Sequence, residues 1–346
     1  MCHGYYGTAL HAAIMGDYYN LAHELLDRGA SPTISGVHAS SLITACGYGK
    51  IGQLELVKRL MCLDFDLEAF DTMRPEDEDM GFSRWLVNAL QNAAKAGNEP
   101  VAELLLEAGA NINAVGDSNG TALQLAVKES KEGMVRLFLR RGADVNMAGG
   151  QLHTPLQAAA SEGKVTLVEI LLDCGADFNI EGGKYGSALQ AACITSKSQI
   201  VENLLFRGAK VNTNAGKYGN PLQAAARHGH LSHIKTLLAH GADINLAGGE
   251  YGFALQAAAC SDRCEPGNME ILQFLLKNGA DVNALGGEYG TALQAAAFHH
   301  KQYVDMLLDL GADPRIEGGK YGSALKAAKE KGWNRVVKLL SQRVGI

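Results

Sequence analysis

The nine-residue stretch EGGKYGSAL stands at 181–189 and again at 317–325. The two copies belong to one ladder. A Leu at the same place in a recurring A/P-L-Q step can be indexed at Leu10, Leu42, Leu90, Leu123, Leu156, Leu189, Leu222, Leu255, Leu293 and Leu325. The step from Leu123 to Leu156 is 33 residues, and the same step recurs to Leu189, Leu222 and Leu255. A period this long constrains the fold more than any composition does. Each copy must be one supersecondary unit that buries its apolar face against the next copy. A phosphate-binding loop would follow a strand in a βαβ unit and would not recur in about ten near-copies, so the Gly pairs read as turns.

Each copy can be read physically. In SALQAACITSKSQIVENLLFRGA (187–209), Ser187 is of the type that caps a helix by accepting from its exposed N–H groups. Thr8, Ser40, Asn88, Thr121, Thr154, Asn220, Thr291 and Ser323 hold the same place, and Phe253 is the exception. An Ala-rich first helix follows, with Leu189, Ala192 and Cys193 at one-face spacing. A second helix repeats the pattern, as in Val168, Leu171, Leu172 and in Val304, Leu307, Leu308. It ends at a Gly able to take the left-handed conformation, such as Gly29, Gly109, Gly142, Gly175, Gly208, Gly241, Gly279 or Gly311. Ala lines the first helix because two helices and a neighbouring copy must approach closely.

These units resemble the ankyrin repeat: a 33-residue period, T-P-L-x-x-A-A opening the first helix and L-L-x-x-G-A-D-x-N closing the second. The resemblance covers nearly the whole chain. It implies an all-α solenoid, a single domain over 1–346 of about ten helix-turn-helix units with short β-hairpin fingers. It also implies a concave face made by fingers and first helices. The finger sequence G-G-x-Y-G-x-A-L-Q looks like the ankyrin arrays of filamentous fungi, often C-terminal to NACHT-type nucleotide-binding domains, for which no sequence is present here. The family's usual His after the index Leu stands only at His11. Gln replaces it at 91, 124, 157, 190, 223, 256 and 294. Carrying both donor and acceptor, Gln can keep the bonds between repeats.

Composition narrows the function classes. The chain has 346 residues, 47% apolar and 20% charged, as a folded protein should, and a net charge of −6 that argues against nucleic acid. No apolar run approaches the ~18 residues of a membrane span, and the start lacks a secretory pattern. Seven scattered Cys argue for a reducing compartment, cytoplasmic or nuclear. No cofactor and no catalytic constellation is expected. With no heptad run, a monomer is expected. The first unit begins inside its own finger, so units one and two should be less stable than the centre, while the lysines of the last unit suit a terminal cap.

The departures from the repeat carry the candidate sites. Unit two has Asp64 and Phe65 where Gly-Ala should end its second helix, and the step from Leu42 to Leu90 is 48 residues. The extra residues lie within 67–87, in the finger. They mix the acidic run Glu76, Asp77, Glu78, Asp79 with Phe70, Met73, Met80, Phe82 and Trp85. Loops beyond normal length are more often functional, and Trp is favoured at interfaces. Trp85, Phe82, Asp77 and Glu78 are therefore candidate contacts for a basic or polar segment of a protein partner; the bland reading is structural cover. A second insertion, CSDRCEPGN at 260–268, holds Cys260 and Cys264. Core or loop thiols explain these better than zinc, which needs four converging ligands, and the same holds for His228, His230, His233 and His240. Third, Tyr185, Tyr218, Tyr251, Tyr289 and Tyr321, with Tyr6, occupy one finger position and form either a packing ladder or a contact row. Beside them the charge varies by unit: Lys184, Lys217, Glu250, Glu288, Lys320. Two functions compete: a protein-binding scaffold, or an unconventional enzyme or small-molecule binder using a pocket between the groove and the 67–87 insertion.

Overall fold

The computed structural model describes residues 8–31, 45, 53–63, 81–116, 120–150, 153–261 and 266–345. The chain divides into two compact units, Met1–Gly150 and Gln151–Ile346. The described residues of both are helical apart from turns and isolated bridges.

In Gln151–Ile346 the helices alternate between two layers. The first helices are Pro155–Ser161, Ala188–Cys193, Pro221–Arg227, Ala254–Ala259, Ala292–His299 and Ala324–Glu330. The second helices are Val165–Asp173, Ser198–Phe206, Leu231–Ala239, Pro266–Lys277, Gln302–Asp309 and Asn334–Val344. Each first helix packs on its own second helix and on the first helices beside it. Helix Ala188–Cys193 is accordingly buried along its whole length, Gln190 included. Only methyl-sized side chains such as Ala191 and Ala192 let a helix be covered on so many sides.

The caps act as their types require. Thr8, Thr121, Thr154, Ser187, Asn220, Thr291 and Ser323 each accept from the N–H three residues on, at distances from 2.9 to 3.3 Å. Phe253 makes no such bond. At the other end, Gly208 takes φ 94°, and the next N–H, that of Ala209, returns to the Leu204 carbonyl at 2.9 Å. The Asn that follows ties one repeat to the next. Asn212 donates to the Gly241 carbonyl at 3.0 Å and accepts from the Asp243 N–H at 2.8 Å. Asn245 does the same with Gly279 and Asp281, and Asn283 with Gly311 and Asp313.

The short fingers are closed by isolated antiparallel bridges, Gly182 with Gly186, Ala215 with Gly219, Gly248 with Gly252, Gly286 with Gly290 and Gly318 with Gly322. With Gly at nearly every pairing position, no longer ladder is supported. One expectation is corrected. In Met1–Gly150 a sixteen-residue helix runs from Gly81 to Ala96. Asn88 lies inside it and does not cap it, and Phe82 and Trp85 stand in its first turns, not in an irregular finger loop. Leu86, Val87, Leu90, Ala93 and Ala94 are all buried, so the apolar stripe of the first helix continues upstream past the expected start. The rest of this unit keeps the pairing, with Ala9–Met15 on Tyr19–Asp27, Gly81–Ala96 on Glu99–Glu107, and Ala122–Lys128 on Glu132–Arg140.

Candidate functional site

The finger tips of Gln151–Ile346 form a continuous edge. The N–H of Lys217 donates to the Lys184 carbonyl at 3.1 Å, Glu250 to Lys217 at 3.0 Å, Glu288 to Glu250 at 2.8 Å and Lys320 to Glu288 at 2.7 Å. The Gln that replaces the family's His aims each finger from below. Gln190 donates to the carbonyls of Ala215 and Gly219, both at 2.8 Å, and Gln223 to Leu246 and Gly252 at 3.3 and 2.7 Å. Gln256 does so to Ala284 and Gly290, and Gln294 to Ile316 and Gly322. The buried amide thus adds a second bond to the carbonyl that closes the finger's bridge, as at Gly219, which also accepts from the Ala215 N–H at 2.7 Å, and reaches a further carbonyl of the same finger. These residues hold structure.

The Tyr row rests on this edge. Tyr218 and Tyr251 stack with centroids 6.2 Å apart at 11°, and Tyr289 and Tyr321 stack at 6.2 Å and 26°. Tyr185, Tyr218, Tyr289 and Tyr321 are half-buried, whereas Tyr251 is buried. The rings also meet residues from the last turns of the first helices. Arg227 donates through Nε to the Tyr251 hydroxyl at 3.0 Å, with its guanidinium 5.4 Å from that ring's centre. Nε2 of His228 lies 3.1 Å from the Tyr218 hydroxyl. Phe298 stacks on Tyr321 with centroids 4.3 Å apart, and the Lys331 ammonium sits 4.0 Å from the Phe298 ring centre. His299 meets the Tyr289 ring edge-on at 4.8 Å.

Charge along the row is partly neutralised. Lys217 pairs with Glu250 at 3.3 Å and Lys320 with Glu288 at 2.9 Å, so the variation in sign is a set of contacts between adjacent fingers. Burial, with lesser help from the neighbouring Tyr251, raises the phenol of Tyr218, and burial with the Glu288 carboxylate raises that of Tyr289. Burial also raises Tyr321. These hydroxyls keep their protons at neutral pH and act as hydrogen-bonding groups, not as bases.

The structure thus gathers Tyr185, Tyr218, Tyr251, Tyr289 and Tyr321 on one edge. Asp77, Glu78, Tyr6 and Cys264 lie outside the described residues, as does the stretch from 64 to 80 that would border a pocket. Cys260 is buried. Among the described residues no group of His, Cys, Asp or Glu is placed to hold a metal, and no helix is long and apolar enough to cross a membrane. Sequence reading assigned no contact to Arg227, Phe298 and His299, and took His228 only as a metal candidate and Lys331 only as part of a terminal cap. Their signal was available: five and six residues after the index Leu, the repeat stops repeating and side chains diverge.

Two cavities among the described residues lie on the second-helix layer. One of about 750 Å³ opens between Pro266–Lys277 and Gln302–Asp309, lined by Met269, Leu276, Met306 and Leu310 with Asp305 and Asp309 at its border. Another, of about 330 Å³, is lined by Trp333, Val336 and Leu339.

The family profile for ankyrin repeats in three copies matches residues 42–149, 149–215, 189–285 and 222–318, and the single-repeat profile matches 7–36. The chain belongs to the ankyrin repeat family. The crystal structure of the human ASB11 ankyrin repeat domain is similar to it, with a TM-score of 0.53 and 25% identity over 66% of this chain and 99% of that one. In all, 537 solved chains match, and a fold this widely used carries no single function. Among curated proteins none matches the chain significantly. Ankyrin repeats are in general protein-interaction modules, and the face described above is the one where fingers and first helices of this ankyrin array meet solvent.

Proposed function

We propose that this chain is a protein-interaction scaffold whose finger and first-helix face receives a segment of a partner protein. The observation that carries this reading is the half-buried, stacked Tyr row beside variable helix ends. A rigid frame of amides and backbone bonds holds side chains that differ from repeat to repeat, which is what selective recognition needs. Tyr offers contact area and a hydroxyl at low entropic cost. The reading includes all repeats acting as one continuous domain, a monomer, and a cytoplasmic or nuclear setting. It also includes a second contact at the 67–87 insertion, where Trp85, Phe82, Asp77 and Glu78 meet a basic or polar stretch of the same partner.

The test is site-specific photo-crosslinking in native extract. A crosslinking residue at position 218 or 289 should trap one discrete protein, whereas the same residue at 206, on the second-helix layer, should not. Equal capture at all three positions, or at none, overturns the reading. With that partner in hand, Trp85→Ala should weaken binding by ~2 kcal/mol if Trp85 is a hot spot.

A further inference from the structure

Residues 291–345 differ from the rest of the chain in charge. They hold nine Lys and Arg against five Asp and Glu, a net of +4 in a chain of −6, so the remaining residues carry −10. Four of these cations surround the cavity of about 330 Å³ that lies between helices Gln302–Asp309 and Asn334–Val344. Trp333, Val336 and Leu339 give the cavity an apolar wall, and Lys301 and Arg335 border it. Val336 is buried, while Trp333 and Leu339 are half-buried. Lys331 precedes the lining Gly332, with its ammonium fixed 4.0 Å from the Phe298 ring centre. Lys338 follows Arg335 by three positions, on the same side of its helix. All four cations are exposed. Two carboxylates stand beside them: Asp305, which accepts from Arg335 at 3.3 Å, and the exposed Glu330. Asp309, one turn beyond Asp305, is matched by Arg343 at 3.7 Å. Among the described residues Lys301, Lys331 and Lys338 enter no ion pair.

We propose that this cavity is a further docking surface, separate from the finger face, and that it takes a short acidic segment of a partner protein carrying one large apolar side chain. That side chain enters between Trp333, Val336 and Leu339, where a half-buried Trp provides the kind of anchor that carries binding energy. The flanking carboxylates meet Lys301, Lys331 and Lys338, which give up no existing partner. The Arg335–Asp305 pair is 88% and 51% exposed, a weakly held contact that an incoming carboxylate joins at little cost. Charge complementarity favours a short segment over an extended polyanion. A nucleic acid or an anionic bilayer that reached these lysines would also face the surface that carries −10, which repels it. A short segment meets the cationic patch alone, because charges beyond ~8 Å are largely screened at physiological salt.

The test uses the full chain and a displayed library of random short peptides. Selection should yield a class in which Asp or Glu flank a Leu, Phe or Trp. A fluorescein-labelled peptide of that class should bind about tenfold more weakly to the Lys301→Gln, Lys331→Gln, Lys338→Gln variant, whose unchanged thermal unfolding is checked first. Should that variant unfold early, Lys301→Gln with Lys338→Gln replaces it, with a smaller loss in the same direction. Binding should also weaken as salt is raised. Tyr218→Ser with Tyr289→Ser should leave it unchanged, so failure of the finger-face reading does not touch this one. The proposal is overturned if no selected peptide is sensitive to the Lys changes, or if the sensitive peptides are neutral or basic. It is equally overturned if fluorescein-labelled single-stranded DNA, or phosphatidylcholine vesicles containing phosphatidylserine, bind the unaltered chain and lose binding on the Lys changes while acidic peptides do not.

Discussion

Ser187 and Asn88 precede the same three residues, Ala-Leu-Gln, yet the chain treats them oppositely. Ser187 caps helix Ala188–Cys193, and its backbone is extended. Asn88 lies in the eighth position of helix Gly81–Ala96. The difference is upstream. Before Ser187 stands Gly186 at φ 90°, a conformation a helix cannot pass through. Before Asn88 stand Trp85, Leu86 and Val87, with no Gly or Pro among them, and Leu86 and Val87 are buried. A capping residue satisfies N–H groups at a break, but the break itself is made by the residue ahead of it. Where burial rewards continuation, the helix runs on and the cap is absorbed.

What the two regions share is the largest effect to test. Leu222 and Leu90 are 2% and 1% exposed, so either Leu→Ala change should cost ~2–5 kcal/mol in urea unfolding. A neutral Leu90→Ala would show that the long helix does not share the regular repeat's register, and the comparison would break at its base.

The next pair exchanges the upstream signal. Gly186→Ala should cost ~1–3 kcal/mol, because it combines a positive φ with overlap of the Ala215 carbonyl oxygen. Val87→Gly should cost about 1 kcal/mol in helix propensity plus the lost burial, and should unwind residues 81–87 so that Asn88 becomes a cap. Amide hydrogen exchange reads this directly: protection of 82–87 lost while 90–96 keeps it. Retained protection throughout would assign the long helix to its packing alone.

Within the regular repeats the comparison sharpens at His233, which replaces Leu167 and Ile200 of the preceding copies. Burial, and His230 beside it, push its imidazole down to about 4 from the ordinary 6.5, against a weaker pull upward from the Cys193 backbone. The folded state holds the neutral ring while the unfolded chain protonates it at the ordinary value. Stability from this site is therefore constant above about 6.5 and falls as pH drops toward about 4. His233→Leu should remove that acid-side loss, measured as the unfolding midpoint at pH 7 and pH 5; an unchanged slope would mean the ring is solvated.

The smallest effect concerns the turn between the two helices. Gly97, Gly163, Gly229 and Gly332 take φ of 78, 66, 74 and 71°, and Ser130 holds the same place at 56°. Ser130→Gly should stabilise by ~0.5–1 kcal/mol in thermal unfolding, since the left-handed conformation strains a residue with a Cβ.

Sequence alone determined whatever is local and repeated. The period, the caps at Thr154 or Asn220, the left-handed Gly208 and the paired helices follow from a few adjacent residues, and each copy restates the rule. It also marked the Tyr row as one position in successive fingers and left its two readings open. Only the tertiary structure decided what depends on a neighbour in space. It set the start of helix Gly81–Ala96, where burial of Leu86 and Val87 outweighs a cap. It matched Lys217 and Lys320 to the carboxylates of adjacent fingers, and it brought Arg227 onto Tyr251 and Lys331 onto Phe298, residues 24 and 33 positions apart in the chain. Such contacts have no signature at short range, because the repeat specifies where a side chain stands but the adjacent repeat supplies what it touches.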